Sequence, residues 1–309
     1  MTQRGPDRIA PWAFAGIMLL GLLLFVVWRF GQASSPARLL ALKASRVDLV
    51  GQLQLALASA AEAEKSAVMA VTDQESQRFA ARARADAAEV ERGRVELGRL
   101  LEAAGTPRER ELLAQFSRDL AALRRVDEEV LALAVRNTNL KAAALAYGPA
   151  AQALAALDGA LERLAERHAA GPQAGQVWRL ADRARLGVLR VQALLAPHIA
   201  AEQDAEMDRL EADVAGQLRQ VQAALDGLSA LVGAAAVAPA RADLGRYLEL
   251  ERQVVALSRE NTNVRSLALS LGQKRAAQAV CQETLAALQQ AILEEPIAGV
   301  SYGRPTPTR

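Results

Sequence analysis

The sequence has few of the residues that build disulfides, metal sites and aromatic cores. Its 309 residues include one cysteine, Cys281, and two histidines, and aromatic residues make up 4%. A lone cysteine excludes an intramolecular disulfide and argues against a cysteine-based metal site. β-Sheets draw on aromatic and β-branched residues, and β-branched residues are scarce beyond the N-terminus. The helix-favouring residues Ala, Leu, Arg, Glu and Gln are abundant, so the composition predicts an all-α fold.

Patterns that carry catalysis or hold metal are missing too. Neither His168 nor His198 has a glutamate three residues before it, so the Glu-x-x-His pair of diiron bundles is absent. His198 and Glu202 are four residues apart, but one such pair is a weak signal for metal. No glycine-rich phosphate loop and no catalytic triad spacing stands out. Both histidines adjoin helix breaks, where we expect exposure to solvent, and we predict no enzyme, no metal and no cofactor.

The charges give no sign of a nucleic-acid partner. The chain has 37 basic and 35 acidic residues, a net charge of +2. A nucleic-acid-binding domain normally has a basic surplus. The charges alternate in sign, as in residues 89–99, which is typical of solvated helix faces. We therefore predict no nucleic acid among the partners.

An apolar run near the N-terminus predicts a membrane anchor. Residues 9–30 are apolar apart from Arg29, and as a helix they would span about 33 Å, enough to cross a bilayer. Trp12 and Trp28 bracket the run at the depth of the lipid headgroups. A signal peptide cleaved after Ala33 is the alternative, although the run is long for one. We favour an uncleaved anchor that contacts lipid and follows a short N-terminal tail, 1–8.

The side of the membrane that holds the large domain is left open by the charges. More basic residues follow the span than precede it, which by the positive-inside rule would place the domain in the cytoplasm. A long domain, however, can cross largely regardless of flanking charge.

The most informative feature is an internal repeat, which bears directly on architecture. Residues 126–148 align with residues 250–272 without a gap. Both segments contain the triplet Asn-Thr-Asn, and both end in glycine. The spacing of 124 residues corresponds to a small domain, so the repeat predicts two copies of one helical module.

Helix boundaries follow from proline, glycine and capping residues. Thr72 and Glu75 have the spacing of a capping box, and Thr106 is the expected N-cap of a helix that starts at Pro107. Breaks at other prolines and glycines complete the assignment. The predicted helices lie near residues 37–71, 73–104, 107–147, 149–169, 173–196, 198–233, 239–271 and 273–295. Two equivalent sets of four helices predict two tandem up-and-down four-helix bundles. Their predicted bounds, with a disordered C-terminal tail, are 36–171, 172–296 and 297–309.

Each repeat contains a heptad pattern that predicts a buried seam. Its positions are Val126, Val130, Leu133, Asn137, Leu140, Ala144 and Tyr147 in one copy and Leu250, Val254, Leu257, Asn261, Val264, Ala268 and Leu271 in the other. Asn137 and Asn261 thus fall on the seam, either fixing the helix register or lining a ligand cavity. Asn139 and Asn263 are predicted to turn away from it, toward solvent or a second subunit.

Three stretches resemble one known family. Residues 64–73 look like the junction between the first two helices of the four-helix-bundle sensory domain of methyl-accepting chemotaxis receptors. Residues 131–148 and 257–272 both look like its third helix and the turn into the fourth. The resemblance covers roughly residues 10–295. It implies a bundle outside the cytoplasmic membrane that binds a small molecule or a binding protein and forms a homodimer.

The chain departs from this family pattern. No second apolar span, linker module or cytoplasmic signalling hairpin follows the bundles, and two bundles stand in place of one. Autonomous signalling is therefore in doubt. Arg136 and Arg259 lie beside the triplets, but no specific ligand signature matches them. Our candidate ligand-binding residues are Asn137, Asn139, Asn261, Asn263, Arg136 and Arg259.

Two functions follow from these observations. One is a single-pass inner-membrane sensory or binding module, with its large domain in the periplasm, that binds a small molecule or a membrane protein. The other is a structural or adaptor spacer that organises a membrane complex. Polar seam positions at a pocket favour the first, whereas an apolar seam throughout favours the second.

Overall fold

The described part of the chain is helical throughout. The computed structural model describes residues 18, 20–25 and 36–296, and every regular element in them is a helix. The prediction of an all-α fold is confirmed.

The predicted terminal segments lie mainly beyond this part. The tails 1–8 and 297–309 are outside the described residues, as is most of the predicted anchor 9–30. In the portion that is described, no helix has both the length and the apolar character that crossing a membrane requires.

Ten α-helices and two single-turn π-segments are labelled here in chain order within residues 36–296. The π-segments are Ala146–Ala150 and Ser270–Lys274. The α-helices are α1 Pro36–Met69, α2 Asp73–Ala104, α3 Pro107–Ala134, α4 Thr138–Leu145, α5 Ala151–Arg167, α6 Ala174–Ala200, α7 Asp204–Val232, α8 Ala234–Glu260, α9 Thr262–Leu269 and α10 Arg275–Glu294.

Two helix starts follow the capping chemistry that the sequence predicted. The backbone N–H of Glu75 donates to Thr72 Oγ1 at 3.2 Å. At α3 the box is reciprocal, because the N–H of Glu109 donates to Thr106 Oγ1 at 3.2 Å and the N–H of Thr106 donates to Glu109 Oε2 at 3.0 Å. These bonds satisfy N–H groups that a helix start leaves without partners.

Several predicted breaks are wrong. The chain does not break at Gly148 or Gly272, which lie inside the π-segments; it breaks earlier, at Asn137 and Asn261. A π-turn is wider than an α-turn and so accommodates a local disruption without ending the helix. The second π-segment contains no proline, so Pro149 is not the general cause.

The helix assignments around two other prolines are also corrected. Pro197 lies in the last turn of α6, and Pro239 lies in the second turn of α8. A proline removes one backbone hydrogen bond unless it lies in the first turn of a helix. Each of these helices therefore continues through its proline with one such bond missing. The helix predicted to begin at 198 begins instead at Asp204.

The break also overturns the later half of the predicted seam. Tyr147 and Leu271 are 62% and 59% exposed. Beyond the breaks a different helix face is buried, which includes Ala142, Ala146, Ala150, Ser266, Ser270 and Lys274. A heptad count assumes an unbroken helix, and the left-handed backbone at each asparagine resets the phase.

The described residues form two compact units, each built from separate segments. Unit one contains 36–57, 88–119 and 280–296, and unit two contains 58–87 and 120–279. The sequence-based division at 171/172 had assumed that each bundle is contiguous in sequence.

In unit one, the last helix of the second repeat packs against helices of the first. Thr284 Oγ1 on α10 donates to Asp119 Oδ2 on α3 at 2.9 Å. Lys43 Nζ on α1 donates to the backbone oxygen of Leu293 at 2.7 Å. The helix that ends the chain's second copy is thus held by its first copy.

In unit two, the converse holds. The first repeat's last helix, α5, packs with α6, α7 and α8 of the second repeat around a shared core. Arg185 Nε on α6 donates to Asp158 Oδ1 on α5 at 2.5 Å. In unit one, therefore, the last helix of the second repeat packs on helices of the first. In unit two, the last helix of the first repeat packs on helices of the second.

The burial pattern extends the repeat well beyond the segments recognised in the sequence. Buried positions in α1 recur in α6 at a constant spacing of 131 residues. They are Val50, Leu53, Leu57, Ala60, Glu64 and Ala67 in α1 and Ala181, Ala184, Val188, Val191, Leu195 and His198 in α6. Between α3 and α8 the spacing is 124 residues, as for Phe116 and Ala240 or Val130 and Val254. Both copies thus have the same helical framework.

Candidate functional site

The two triplets meet in unit two, where we call residues 137–139 and 261–263 the crossover. Each begins at an asparagine with left-handed backbone geometry, φ 51° and ψ 40° at Asn137 and φ 51° and ψ 38° at Asn261. Asparagine tolerates this conformation better than other residues with a β-carbon. A new helix then starts, with N–H groups that need acceptors.

The threonines supply acceptors to each other. The backbone N–H of Thr138 donates to Thr262 Oγ1 at 3.1 Å, and the N–H of Thr262 donates to Thr138 Oγ1 at 3.2 Å. The two hydroxyl oxygens are 3.2 Å apart, so one hydroxyl also donates to the other. Each repeat therefore caps the broken helix of the other.

The last asparagine of each triplet repeats this exchange. The N–H of Asn139 donates to Asn263 Oδ1, and the N–H of Asn263 donates to Asn139 Oδ1, both at 3.2 Å. The side-chain amide of Asn139 donates to Asn261 Oδ1 at 2.8 Å, and that of Asn263 donates to Asn137 Oδ1 at 3.0 Å. The prediction that these two residues face away from the seam is wrong: Asn139 is buried and Asn263 is partly buried.

The first asparagines also hold the junctions between the first two helices of each repeat. Asn137 Nδ2 donates to Asp73 Oδ1 at 2.9 Å, and this hydrogen bond is the main reason that the pKa of Asp73 lies below its ordinary value. Asn261 Nδ2 donates to the backbone oxygen of Ala201 at 2.9 Å. Each triplet thus contacts a helix junction of its own repeat and the triplet of the other repeat.

The two predicted arginines lie beside the crossover in ion pairs. Arg136 pairs with Glu260 across the repeats, and both side chains are exposed. Arg259 donates to Glu211 Oε1 at 2.6 Å and to Asp208 Oδ1 at 2.5 Å. The structure brings all six candidate residues into one region and gives each a partner within the chain.

A buried histidine cluster adjoins Arg259. His198 Nδ1 is 2.8 Å from Ser258 Oγ, and its Nε2 is 3.0 Å from Glu211 Oε1. The prediction of an exposed His198 is wrong, since its side chain is 2% exposed. Hydrogen bonds from Arg259, and secondarily from His198, hold the pKa of Glu211 below its ordinary value.

This cluster resembles a catalytic triad only in its residue types. The single hydroxyl proton of Ser258 can go to the backbone oxygen of His198 at 2.9 Å or to His198 Nδ1 at 2.8 Å. A nucleophilic serine requires the second arrangement and an oxygen that a substrate can reach. Ser258 is fully buried, so its oxygen does not meet the second condition. The cluster joins α6, α7 and α8.

A second polar feature of unit two was missed by the sequence reasoning. A cavity of about 540 Å³ lies between α1, α2 and α3. On its inner side Lys274 Nζ donates to Glu64 Oε2 at 2.8 Å, and these two side chains are 3% and 2% exposed. The lining residues are Ala60, Glu64, Ala83, Arg84, Ala87, Ala121, Arg124, Arg125, Asp127, Glu128 and Leu131.

Two carboxylate oxygens of residues that line the cavity have no partners. Within the described residues, Glu64 Oε1 and Asp127 Oδ1 are shielded from solvent and have no hydrogen-bond partner. The pKa of Asp127 is raised to about 6, chiefly by burial; Lys274 opposes the shift, and Glu64 and Glu128 add to it. Buried acceptors normally find donors, and an orphaned carboxylate oxygen is costly. Glu64 falls on the heptad series of buried positions in α1, and this spacing is the sequence signal that could have identified it as buried.

Comparison with known proteins does not assign the chain. A scan against protein-family models finds no match, and a search of curated proteins finds no relative.

Proposed function

We propose that the chain is a non-catalytic sensory or binding module that resembles the chemoreceptor four-helix-bundle domain. The exchange of last helices between the repeats is the observation that carries this proposal. Such an arrangement suits a protein that passes a local change from one part of the fold to another.

The physical route for such coupling lies within unit two. The chain runs from the cavity on α3, through the crossover, into α5, which packs in the core with α6 to α8. Helices and packed cores are stiff, so a displacement of α3 is resisted or passed on at the crossover. The crossover has little freedom to absorb it, because its N–H groups and amides are engaged across the repeats.

The proposal extends to the setting of the module. Residues 9–30 anchor it in lipid as a single inner-membrane pass, with the large domain in the periplasm and a homodimer as its working form. A small molecule or a membrane protein is the bound partner. The apolar run supports the anchor, and the family resemblance supports the periplasmic side, the homodimer and the kind of partner.

A ligand screen followed by hydrogen exchange tests the module. The purified full chain is screened by thermal shift against a metabolite library, since a ligand that binds only the folded state raises Tm. Hydrogen exchange with any stabilising compound is then expected to show slowed amides in α5 as well as around the cavity. A library without a stabilising compound, or protection confined to the contact residues, would argue against the module.

A structural or adaptor spacer is the second candidate. The asparagine side chains donate to groups of the chain itself, which is what a structural joint requires. Cross-linking in isolated membranes distinguishes the two candidates. A spacer yields a defined protein partner whether or not a small molecule is added, whereas a sensor's cross-links change with its ligand.

A further inference from the structure

The cavity on α1 to α3 exists because small side chains replace larger ones in only one repeat. Ala60, Ala83 and Ala87 line it. The equivalent positions in the second repeat are Val191, Val214 and Leu218, which pack in the core of α5 to α8. The two frameworks match, so the difference in side-chain volume accounts for the open space.

The polar residues differ between the repeats in the same place. Glu64 and Lys274 correspond to the apolar Leu195 and Ala150 of the other half, both buried. A buried ion pair is weak evidence for stability, because apolar residues of similar volume often serve as well. Apolar residues can therefore fill this position, and they do so in only one of the two halves.

The inner part of the cavity has one negative charge in excess. Lys274 balances Glu64, while Asp127 receives no hydrogen bond to its Oδ1 in the described residues. Glu128, the next residue on α3, is paired with Arg84 at the rim through bonds of 3.1 and 2.7 Å. A monovalent cation with hydrogen-bond donors would neutralise Asp127 and satisfy both orphaned oxygens.

We propose that this cavity binds a small primary ammonium ion. Glu64 Oε1 and Asp127 Oδ1, which are shielded from solvent, turn toward the ion and accept from its N–H groups, and its alkyl part lies against Ala60, Ala83 and Ala87. This assignment rests on the proposed binding function and names its ligand class. The volume of about 540 Å³ is in the range of small-molecule sites.

The surrounding charges favour a monoamine over a metal ion or a polyamine. The Lys274 ammonium already occupies one side of Glu64, and it would repel a divalent cation more strongly than a monovalent one. Arg125 lines the cavity with an exposed side chain, so a second ammonium group would meet like charge there. Salt screens these exposed charges more than the shielded carboxylates.

Calorimetry and thermal shift on the full chain test the assignment at pH 7.5. The probes are n-butylamine, 1-butanol, tetramethylammonium and Mg²⁺. Butylamine is expected to bind and raise Tm. Butanol lacks the charge and tetramethylammonium lacks N–H donors, so both should bind at least tenfold more weakly. Equal binding of tetramethylammonium, or a shift with Mg²⁺ alone, would overturn the assignment.

Matched variants locate the site. D127N should weaken butylamine binding at least tenfold, while E251Q, the same change at the equivalent position of the other repeat, should leave it unchanged. A83V/A87L places the other repeat's side chains in the cavity, and it should abolish binding while the protein remains folded. Unchanged binding in D127N or in A83V/A87L would contradict the proposal.

The proton equilibrium of Asp127 gives an independent readout. Butylamine should bind more weakly at pH 5 than at pH 7.5, because protonation of Asp127 removes the negative charge that attracts the amine. Glu64 and Glu128 do not replace that charge, since Lys274 and Arg84 pair with them. The same binding at both pH values would place the amine elsewhere.

If amines fail but another compound in the library stabilises the chain, the binding module stands and this ligand class is wrong. If no compound stabilises the chain, both proposals fail.

Discussion

Thr138 and Thr262 cap each other: each backbone N–H donates to the other's hydroxyl, at 3.1 and 3.2 Å. The relationship is reciprocal because the two residues occupy equivalent positions of the repeat. It explains why both copies contain the same triplet, since each broken helix depends on the side chains of the other.

Removal of one hydroxyl tests this dependence. T138V leaves the buried N–H of Thr262 without its acceptor, and we expect the free energy of unfolding to fall by about 1–3 kcal/mol. T138S keeps the oxygen and is the matched control, with a loss below about 1 kcal/mol. Urea denaturation measures both variants. A loss in T138S as large as that in T138V would show that the methyl group, not the hydrogen bond, is what matters.

Substitutions at Asn261 separate backbone geometry from side-chain bonding. N261A and N261G both lose the amide bonds to Ala201 and Asn139. Glycine adopts positive φ without strain, whereas alanine does not. We expect N261A to be less stable than N261G by about 1 kcal/mol, measured by thermal and urea unfolding. The opposite order would mean that the left-handed geometry at this residue is not a source of strain.

The buried pair of Glu64 and Lys274 should be replaceable as a unit. E64L and K274A each leave one buried charge uncompensated, and we expect each to cost about 3–5 kcal/mol. The double variant has the residues of the other repeat, Leu195 and Ala150, and should regain most of that loss. A double-mutant cycle by urea denaturation measures the coupling. Additive losses would contradict the equivalence of the two halves.

The raised pKa of Asp127 predicts a defined dependence of stability on pH. With a pKa of about 6 in the folded chain against 3.8 for the free group, the folded state binds the extra proton between these values. Stability attributable to Asp127 therefore falls as pH rises from about 4 to 6, by at most about 3 kcal/mol.

Denaturation of D127N and the parent chain at several pH values measures this effect. Other carboxylates titrate in both proteins, so the difference between the two curves isolates Asp127. D127N should match the parent near pH 4 and exceed it in stability at pH 7.5. A difference in stability that does not change with pH would show that the pKa of Asp127 is not raised in the folded chain.

Sequence reasoning predicted those features that depend on local chemistry. The starts of α2 and α3 follow from Thr72 and Thr106, whose caps act within four residues. The duplication was visible as an ungapped alignment. The chain has four asparagines and all of them lie in the crossover, a composition signal that marks the region without revealing its partners.

Other features depend on contacts that local sequence does not encode. Which bundle holds α5 or α10 is decided by tertiary packing, because the same amphipathic helix could pack in either copy. Glycine and proline at 148–149 are strong break signals, yet the π-segment absorbs them. Lys274 resembles the solvated charges around it in the sequence, and Glu64 differs from them only by its heptad position; the burial of both residues is a result of tertiary packing.

Disulfide formation tests the exchange of last helices most directly. In a C281A background, D119C/T284C joins two residues whose side chains are 2.9 Å apart across the repeats. Its control, D119C/A160C, carries the second cysteine at the equivalent position of the first repeat's own last helix. Oxidation of dilute protein, followed by digestion and mass spectrometry, is expected to yield an intramolecular disulfide in the first variant and none in the second. The reverse result would show that each repeat retains its own last helix and would contradict the exchange.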